Sequence, residues 1–336
     1  MRSLDELDRR IVVALQQDGR ASWTAISEMV DASLPTVARR GQQLIADGIV
    51  RIAVSPAPGS TGPADAFIIR INCQPGTQVS VAAQLVENPG MRFVAIVTGR
   101  YDIVAEMVVS GGAASYPNLI AELQSIDNVE RWRSDLIMHV YKISSDWSNQ
   151  LLKERLNTSG EPQDRADKSP MEPGSPGLLD EADLKILEVL RDDGREAVQT
   201  IADRLGMNES SVRRRFEQMR NSNSIDIVTL VPAPALGMGA ETLLTVRVAP
   251  SRMDEVAREL AKYSSVRYLA ATLDENALFC EVITRSSDDL YEFITSTLSA
   301  LDGVEGWTAS MELLFLKRGF AETPWWRAQL GTPGTP

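Results

Sequence analysis

Apolar positions along the chain alternate between two periods. Leu7, Ile11, Val12 and Leu15 recur on one helical face after Asp5, and the expected helix stops at Gly19, read as a left-handed cap. Ser22 is placed to cap a second, short helix over 23–30 with Ile26, Met29 and Val30 inward. Ser33 starts a third over 34–47, closed by Gly48, in which Val37, Gly41 and Leu44 face the core. Three helices with a tight break between the second and third predict a helix-turn-helix. From Ile49 the period drops to two, giving a short strand through Val54 and then the hinge SPAPGSTGP. Beyond it the pattern reads strand 66–73, helix 78–87 (Val79, Ala82, Ala83 and Val86 inward), strands 92–98 and 103–109, helix 115–126 and strand 129–143. That order, βαββαβ, predicts an antiparallel sheet with helices on one face, whose bare face needs a second such domain against it.

The pattern is then repeated. LDELDRRIVVALQQDGR from Leu4 matches LDEADLKILEVLRDDGR from Leu179, and TVARR at 36–40 matches SVRRR at 211–215, all at an offset of 175 residues. Residues 154–177, rich in Pro, Gly, Ser and charge, read as a flexible tether. The second copy runs helices from Glu181, Gln199 and Glu209, strand 242–248, helix 254–262, strands 268–272 and 278–284, helix 288–301 and strand 306–316. The expected domains are 1–55 and 179–230 (helix-turn-helix), 64–145 and 240–318 (βαββαβ), a linker over 153–178 and a tail over 319–336. The tail, with Trp325 and Trp326, is expected to pack on its own domain.

Composition changes this picture little. The 336 residues are 43% hydrophobic and 24% charged, an ordinary globular balance. No apolar run reaches membrane-spanning length and no secretory leader is legible, so a cytoplasmic location is the expectation. Cys73 stands opposite Val248 in the other copy, so neither a repeated metal site nor a repeated disulfide is expected; reduced buried thiols are. The net charge of −12 argues against general coating of nucleic acid. One locally basic face answers that objection: Arg213, Arg214, Arg215 and Arg220 crowd a segment holding only Glu209 and Glu217.

On the third helix Thr36, Arg39, Arg40 and Gln43 are left facing outward, with Arg40 bordering the inward face; Ser211, Arg213, Arg214 and Arg215 take the matching role in the second copy. Guanidinium, hydroxyl and amide groups on one exposed helix suit phosphates and base edges in a major groove. The hairpin turn Gly99-Arg100-Tyr101-Asp102 is ordinary turn chemistry by itself. Its counterpart, Asp274-Glu275-Asn276-Ala277, has lost the glycine, the ring and the terminal acid.

LDxxDxxI followed by DGR, a helix-turn-helix ending in TVxRR, and a βαββαβ domain containing GxYD together resemble the Lrp/AsnC (feast/famine) transcriptional regulators, over nearly all of both halves. The resemblance implies an α+β chain: two copies of a winged-type helix-turn-helix, each followed by a ferredoxin-like domain of the dimeric α/β-barrel type. It implies double-stranded DNA as a partner at the recognition helices and a small effector, typically an amino acid, at Gly99, Tyr101 and Asp102. Pairing of the two halves as an intrachain pseudo-dimer, further homo-oligomers, no cofactor and no enzymatic activity complete the expectation. Double units of this kind also resemble the siroheme decarboxylases, the alternative reading. Chemistry on a tetrapyrrole is expected to lean on histidines, and this chain has only His139, on a strand and opposite Leu314.

Overall fold

The computed structural model describes residues 4–57, 59–144, 146–149, 177–274 and 277–330; most of the expected linker and the end of the tail lie outside them. Each copy starts with three helices: α1 (Glu6–Gln17), α2 (Trp23–Met29) and α3 (Leu34–Ala46), then α6 (Glu181–Asp192), α7 (Val198–Leu205) and α8 (Glu209–Asn221). Asp5 and Asp180 cap α1 and α6 by accepting the N–H of Asp8 and Asp183. Ile11, Val12, Leu15, Ile26, Val37 and Leu44 seal the first three-helix core.

Two local expectations change. Met29 is 52% exposed; Trp23, Ile26 and Val30 carry the apolar inward face of α2 and its end. Gly19 is not a left-handed cap, because α1 ends on Asp18 in an extended conformation. Glycine is required there by crowding: a Cβ would lie 2.8 Å from Thr229 Oγ1 and 3.0 Å from Ile52 Cγ2.

Those two neighbours belong to a ribbon between the copies. β1 (Arg51–Pro56) has no hairpin partner in its own copy and pairs antiparallel with β6 (Ile225–Leu230). Ala53 faces Val228, its own repeat position 175 residues on, so the pseudo-twofold axis passes through this pair.

The βαββαβ units follow as β2 (Ala64–Cys73), α4 (Gln78–Glu87), β3 (Met91–Val97), β4 (Ile103–Ser110), α5 (Tyr116–Gln124) and β5 (Val129–Ile143). The second has β7 (Ala240–Val248), α9 (Met253–Ala261), β8 (Val266–Thr272), β9 (Ala277–Thr284), α10 (Ser287–Glu292, continued by irregular turns to Ala300) and β10 (Val304–Arg318). On α4 the inward residues are Val81, Ala82, Leu85 and Val86, and Val79 is outward, one turn phase from the expectation.

β5 and β10 are 15 residues each and serve both sheets. The first half of β5 pairs with β2 and its second half with β8; β10 pairs likewise with β7 and then with β3. The eight strands therefore close into one ring in the order β3-β4-β2-β5-β8-β9-β7-β10. The bare face of each sheet is covered by the other, as the pattern required.

The copies are also fastened across the seam. Lys317 Nζ donates to the carbonyls of Val86 (2.8 Å) and Asn88 (2.7 Å) at the end of α4, and Lys142 Nζ to Tyr263 O (2.8 Å) beyond α9. Burial pulls the Lys317 ammonium down to a pKa of about 8. The tail packs on both copies: Thr323 Oγ1 donates to Phe315 O (2.9 Å) in its own copy, as expected, whereas Trp326 lies in the helix-covered core of the first domain with Ile69, Leu85 and Met91. Trp325 packs edge-on to Phe315 (5.5 Å) in the barrel interior.

That interior is charged unequally. Arg92 donates to both Glu106 oxygens (2.8 and 2.7 Å), and the equivalent Arg267 and Glu281 also pair. Only the second copy adds Glu241, Glu312 and Arg318, where the first has Ala66, Ile137 and Ile143. Arg318 Nη1 binds both Glu281 oxygens (2.9 and 2.8 Å) and its Nη2 binds Glu312 (3.1 Å). Glu241 Oε2 stays 3.9 and 3.8 Å from the Arg267 and Arg318 guanidinium groups. Three carboxylates thus face two guanidinium groups, with Tyr268 and the Arg92–Glu106 pair beside them. Burial raises Glu241 to a pKa of about 7 and Glu312 well above the ordinary carboxylate range. Carboxyl groups raised on folding favour the native state at low pH and lose that contribution as pH rises through the folded value. The denaturation free energy is expected to fall by roughly 2–4 kcal/mol between about pH 4.5 and pH 8. Chemical denaturation across that range checks it: Glu241→Gln flattens the slope, and an unchanged slope in that variant contradicts the assignment.

Candidate nucleic-acid interface and effector turn

α3 and α8 present the expected recognition faces, and the structure divides their arginines into two kinds. Arg39 and Arg214 are exposed and, among the described residues, face no carboxylate; Arg214 Nη1 reaches only Gln218 Oε1, at 3.4 Å. Arg40 and Arg215 turn back into their own domains. Arg40 Nη1 bridges Asp5 (2.5 Å) and Asp8 (3.0 Å), while Arg215 Nη1 bridges Asp180 (2.7 Å) and Asp183 (2.8 Å). These aspartates are the N-cap and third residue of α1 and α6, so the clamp ties each recognition helix to the start of its domain. Arg40 holds the Asp5 carboxyl below the ordinary carboxylate range. The outward placement expected of Arg40 and Arg215 is therefore corrected: two acids 32 and 35 residues away outcompete solvent for them.

Of the other candidates, Thr36 is half-buried with its hydroxyl 2.9 Å from Ser33 Oγ, and Gln43 is exposed and bonds Asp47 (2.5 Å). Ser211 is half-buried at the matching place. Arg213 is exposed and paired with Glu209 (2.5 Å) on its own helix. Gln218, exposed at the position of Gln43, completes the second face and was missed from the sequence, although the 175-residue offset marks it. Both heads thus show a hydroxyl, a guanidinium and an amide: Thr36, Arg39 and Gln43 against Ser211, Arg214 and Gln218. Their neighbours differ, Pro35, Ala38 and Gln42 against Ser210, Arg213 and Glu217.

The turn after β3 lies against the other copy. Thr98 N–H donates to Met311 O and Met311 N–H to Thr98 Oγ1, both at 2.9 Å. Gly99 has φ +96°, and a Cβ would stand 3.3 Å from Ser310 Oγ and 3.4 Å from Ala309 O. Only glycine combines that conformation with that approach. Tyr101 and Asp102 are half-buried. Asp102 Oδ2 accepts the Cys73 N–H (2.9 Å), so the carboxylate expected to meet an effector also closes the end of β2. In the second copy the Asp274 N–H donates to Asp135 Oδ1 (2.8 Å) and its carboxylate pairs with Arg133 (3.2 Å); residues 275 and 276 lie outside the described ones.

The AsnC-type helix-turn-helix domain matches residues 4–45 and 179–220, and the Lrp/AsnC ligand binding domain matches 66–147 and 241–320. The chain belongs to the Lrp/AsnC family. Among relatives, the HTH-type transcriptional regulator FL11 of Pyrococcus furiosus is 30% identical over 149 residues, which cover 44% of this chain and 97% of that protein. The HTH-type transcriptional regulator LrpA of Pyrococcus horikoshii is 30% identical over 128 residues, 38% of this chain and 91% of that one. Each such relative aligns almost whole with less than half of this Lrp/AsnC chain. The siroheme decarboxylase NirDL is similar across 97% of this chain and 99% of its own, with a TM-score of 0.60 and 13% identity, a likeness of fold. None of the helices among the described residues is long and apolar enough to cross a membrane.

The two kinds of arginine are separable by substitution. Arg40→Ala strips Asp8, 1% exposed, of its cation and is expected to lower stability by about 1–3 kcal/mol. Arg39→Ala is expected to stay within about 0.5 kcal/mol of the parent. Thermal unfolding of the two variants checks the division; equal losses contradict it.

Proposed function

We propose that this Lrp/AsnC-type DNA-binding transcriptional regulator reads double-stranded DNA with both heads of one chain, as an intrachain pseudo-dimer, and responds to an amino acid or a similar small effector at its first turn. The observation that carries the reading is the repeated set on α3 and α8, an exposed guanidinium and amide beside a half-buried hydroxyl, on two heads joined by the β1–β6 ribbon. Two-fold DNA sites are matched by two-fold readers, and covalent fusion supplies the second head at high effective concentration. Because the flanking residues differ between the heads, the preferred operator is asymmetric. Fold likeness to a siroheme decarboxylase does not favour an enzyme here: His139 is exposed on β5 and its partner position is Leu314.

Enrichment from a random duplex pool tests the reading, with recovery of two unlike half-sites expected. Arg39→Ala and Arg214→Ala are each expected to weaken binding, and each lost phosphate contact flattens the logarithmic salt slope by about one unit. No enrichment, or a tight Soret complex with an added tetrapyrrole in its place, contradicts it.

For the effector, Asp102→Asn keeps an oxygen for the Cys73 N–H and removes the charge that would receive an ammonium group. Amino acids that raise the melting temperature of the parent are expected to leave this variant unmoved at equal basal stability. An undiminished thermal shift contradicts the placement of the site.

A further inference from the structure

Every letter of the repeated Asp-Gly-Arg motif has a place at the seam between the heads. Asp18 Oδ1 accepts the Arg20 N–H (2.9 Å) and Asp193 Oδ1 the Arg195 N–H (2.8 Å), which folds each motif into the same turn. Gly19 and Gly194 let the turns lie on the ribbon: a Cβ on Gly194 would stand 2.8 Å from the Ile52 backbone. The arginines then cross over. Arg20 donates to the carbonyls of Gly194 and Glu196 (3.3 Å to the latter); Arg195 donates to those of Gly19 (2.6 Å) and Ala21 (2.8 Å).

Each guanidinium also lies over a ring of the opposite head, Arg20 over Phe216 at 4.7 Å and Arg195 over Trp23 at 4.3 Å. These rings are the packing keys of the recognition helices. A Cβ at Gly41 on α3 would run into the Trp23 ring, so that indole fills the space behind α3. In the second copy the exchange is reversed: Val198 stands at the position of Trp23, and Phe216 on α8 at that of Gly41. Both arrangements give the incoming arginine an aromatic face at the root of a recognition helix.

The ribbon itself is two strands with six residue pairs, and an isolated two-stranded element is marginal in water. A second connection is needed to hold two heads at one separation. We propose that Arg20 and Arg195 are positioning residues for DNA reading: their reciprocal exchange fixes the spacing and orientation at which α3 and α8 meet two half-sites. Arg220 adds a bridge to Asp18 (2.8 Å) that occurs once, since Ile45 stands at its repeat position. The staple is thus stronger on one side of the pseudo-twofold axis than on the other.

The proposal rests on the two-headed reading, and two measurements keep their failures apart. The first needs no DNA. Spin labels at the equivalent exposed positions Ala46→Cys and Asn221→Cys report the distance between α3 and α8, the native Cys73 and Cys280 being buried. A single narrow distance is expected for the parent and a clearly broadened distribution for Arg20→Ala/Arg195→Ala, with cooperative unfolding retained. An unchanged distribution overturns the proposal. If that pair fails to fold, Arg20→Lys/Arg195→Lys replaces it: an ammonium lacks the planar guanidinium that lies over the opposite ring while its separate nitrogens reach two carbonyls, so broadening is again expected. The second measurement uses the enriched duplex with base pairs inserted between its half-sites. Binding by the parent is expected to drop about tenfold or more when the half-sites rotate to opposite faces of the DNA. The variant binds the unaltered site more weakly and loses that spacing dependence. An equally steep spacing profile in the variant overturns the staple, whereas parent protein that enriches no sequence overturns the DNA reading and leaves the label distances to decide the staple.

Discussion

The structure depends on two strands that do not stay in their own sheets. β5 and β10 run for 15 residues where about half that length would complete a ferredoxin-like sheet, and the surplus of each covers an edge of the other copy. An unpaired edge is a row of unsatisfied donors and acceptors, and closing the ring removes it from both sheets at once. The rest of the cross-copy packing follows from where that surplus ends. It brings Lys317 to the carbonyls at the end of α4, sets Trp326 in the first domain's core and seats Trp147, just beyond β5, among residues of both copies such as Leu15 and Met238.

A symmetric backbone has here been filled with asymmetric chemistry. The registers β5–β8 and β10–β3 correspond residue for residue at the 175-residue offset, bulges included. The side chains do not. Trp23 with Gly41 becomes Val198 with Phe216, so the ring that fills the space between the two helices changes from one helix to the other. Where the first copy has Ala66, Ile137 and the exposed Ile143, the second has Glu241, Glu312 and Arg318 in a network that leaves Glu241 Oε2 and Glu312 Oε1 without hydrogen-bond partners. The two registers survive these exchanges, so side-chain chemistry differs between the copies while the backbone pairing does not.

Much of this was legible in the sequence where a signal is periodic or repeated. Element order, the duplication and the need for a cover on each sheet all rest on spacing, and spacing survives in one dimension. What was lost is what depends on partners distant in sequence. A six-residue strand at β1 carries no mark that its partner is β6, and Arg40 sits at the border of the helical face, its direction decided by Asp5 and Asp8 on another helix. Met29 and Val79 face outward against the expected pattern because α2 and α4 have apolar residues on more than one face, so their phase is ambiguous in one dimension. At Gly19 the cause is crowding by Thr229 and Ile52, both distant in sequence, and no backbone conformation requires the glycine. At the candidate site the exposed set was readable up to the inward arginines, and Gln218 was readable from its repeat partner.

The placement of β10 bears on how such a chain is made. The first sheet's β3 edge is closed by residues 312–318, and its core gains Trp326 later still, so a growing chain holds an open domain until those residues have emerged. Two chains whose β10 has emerged but not yet docked each carry the strand the other lacks, and exchange between chains competes with closure within one. Tethering decides the contest while the local effective concentration exceeds that of neighbouring chains. Duplication has thereby converted an assembly problem between molecules into a folding problem within one.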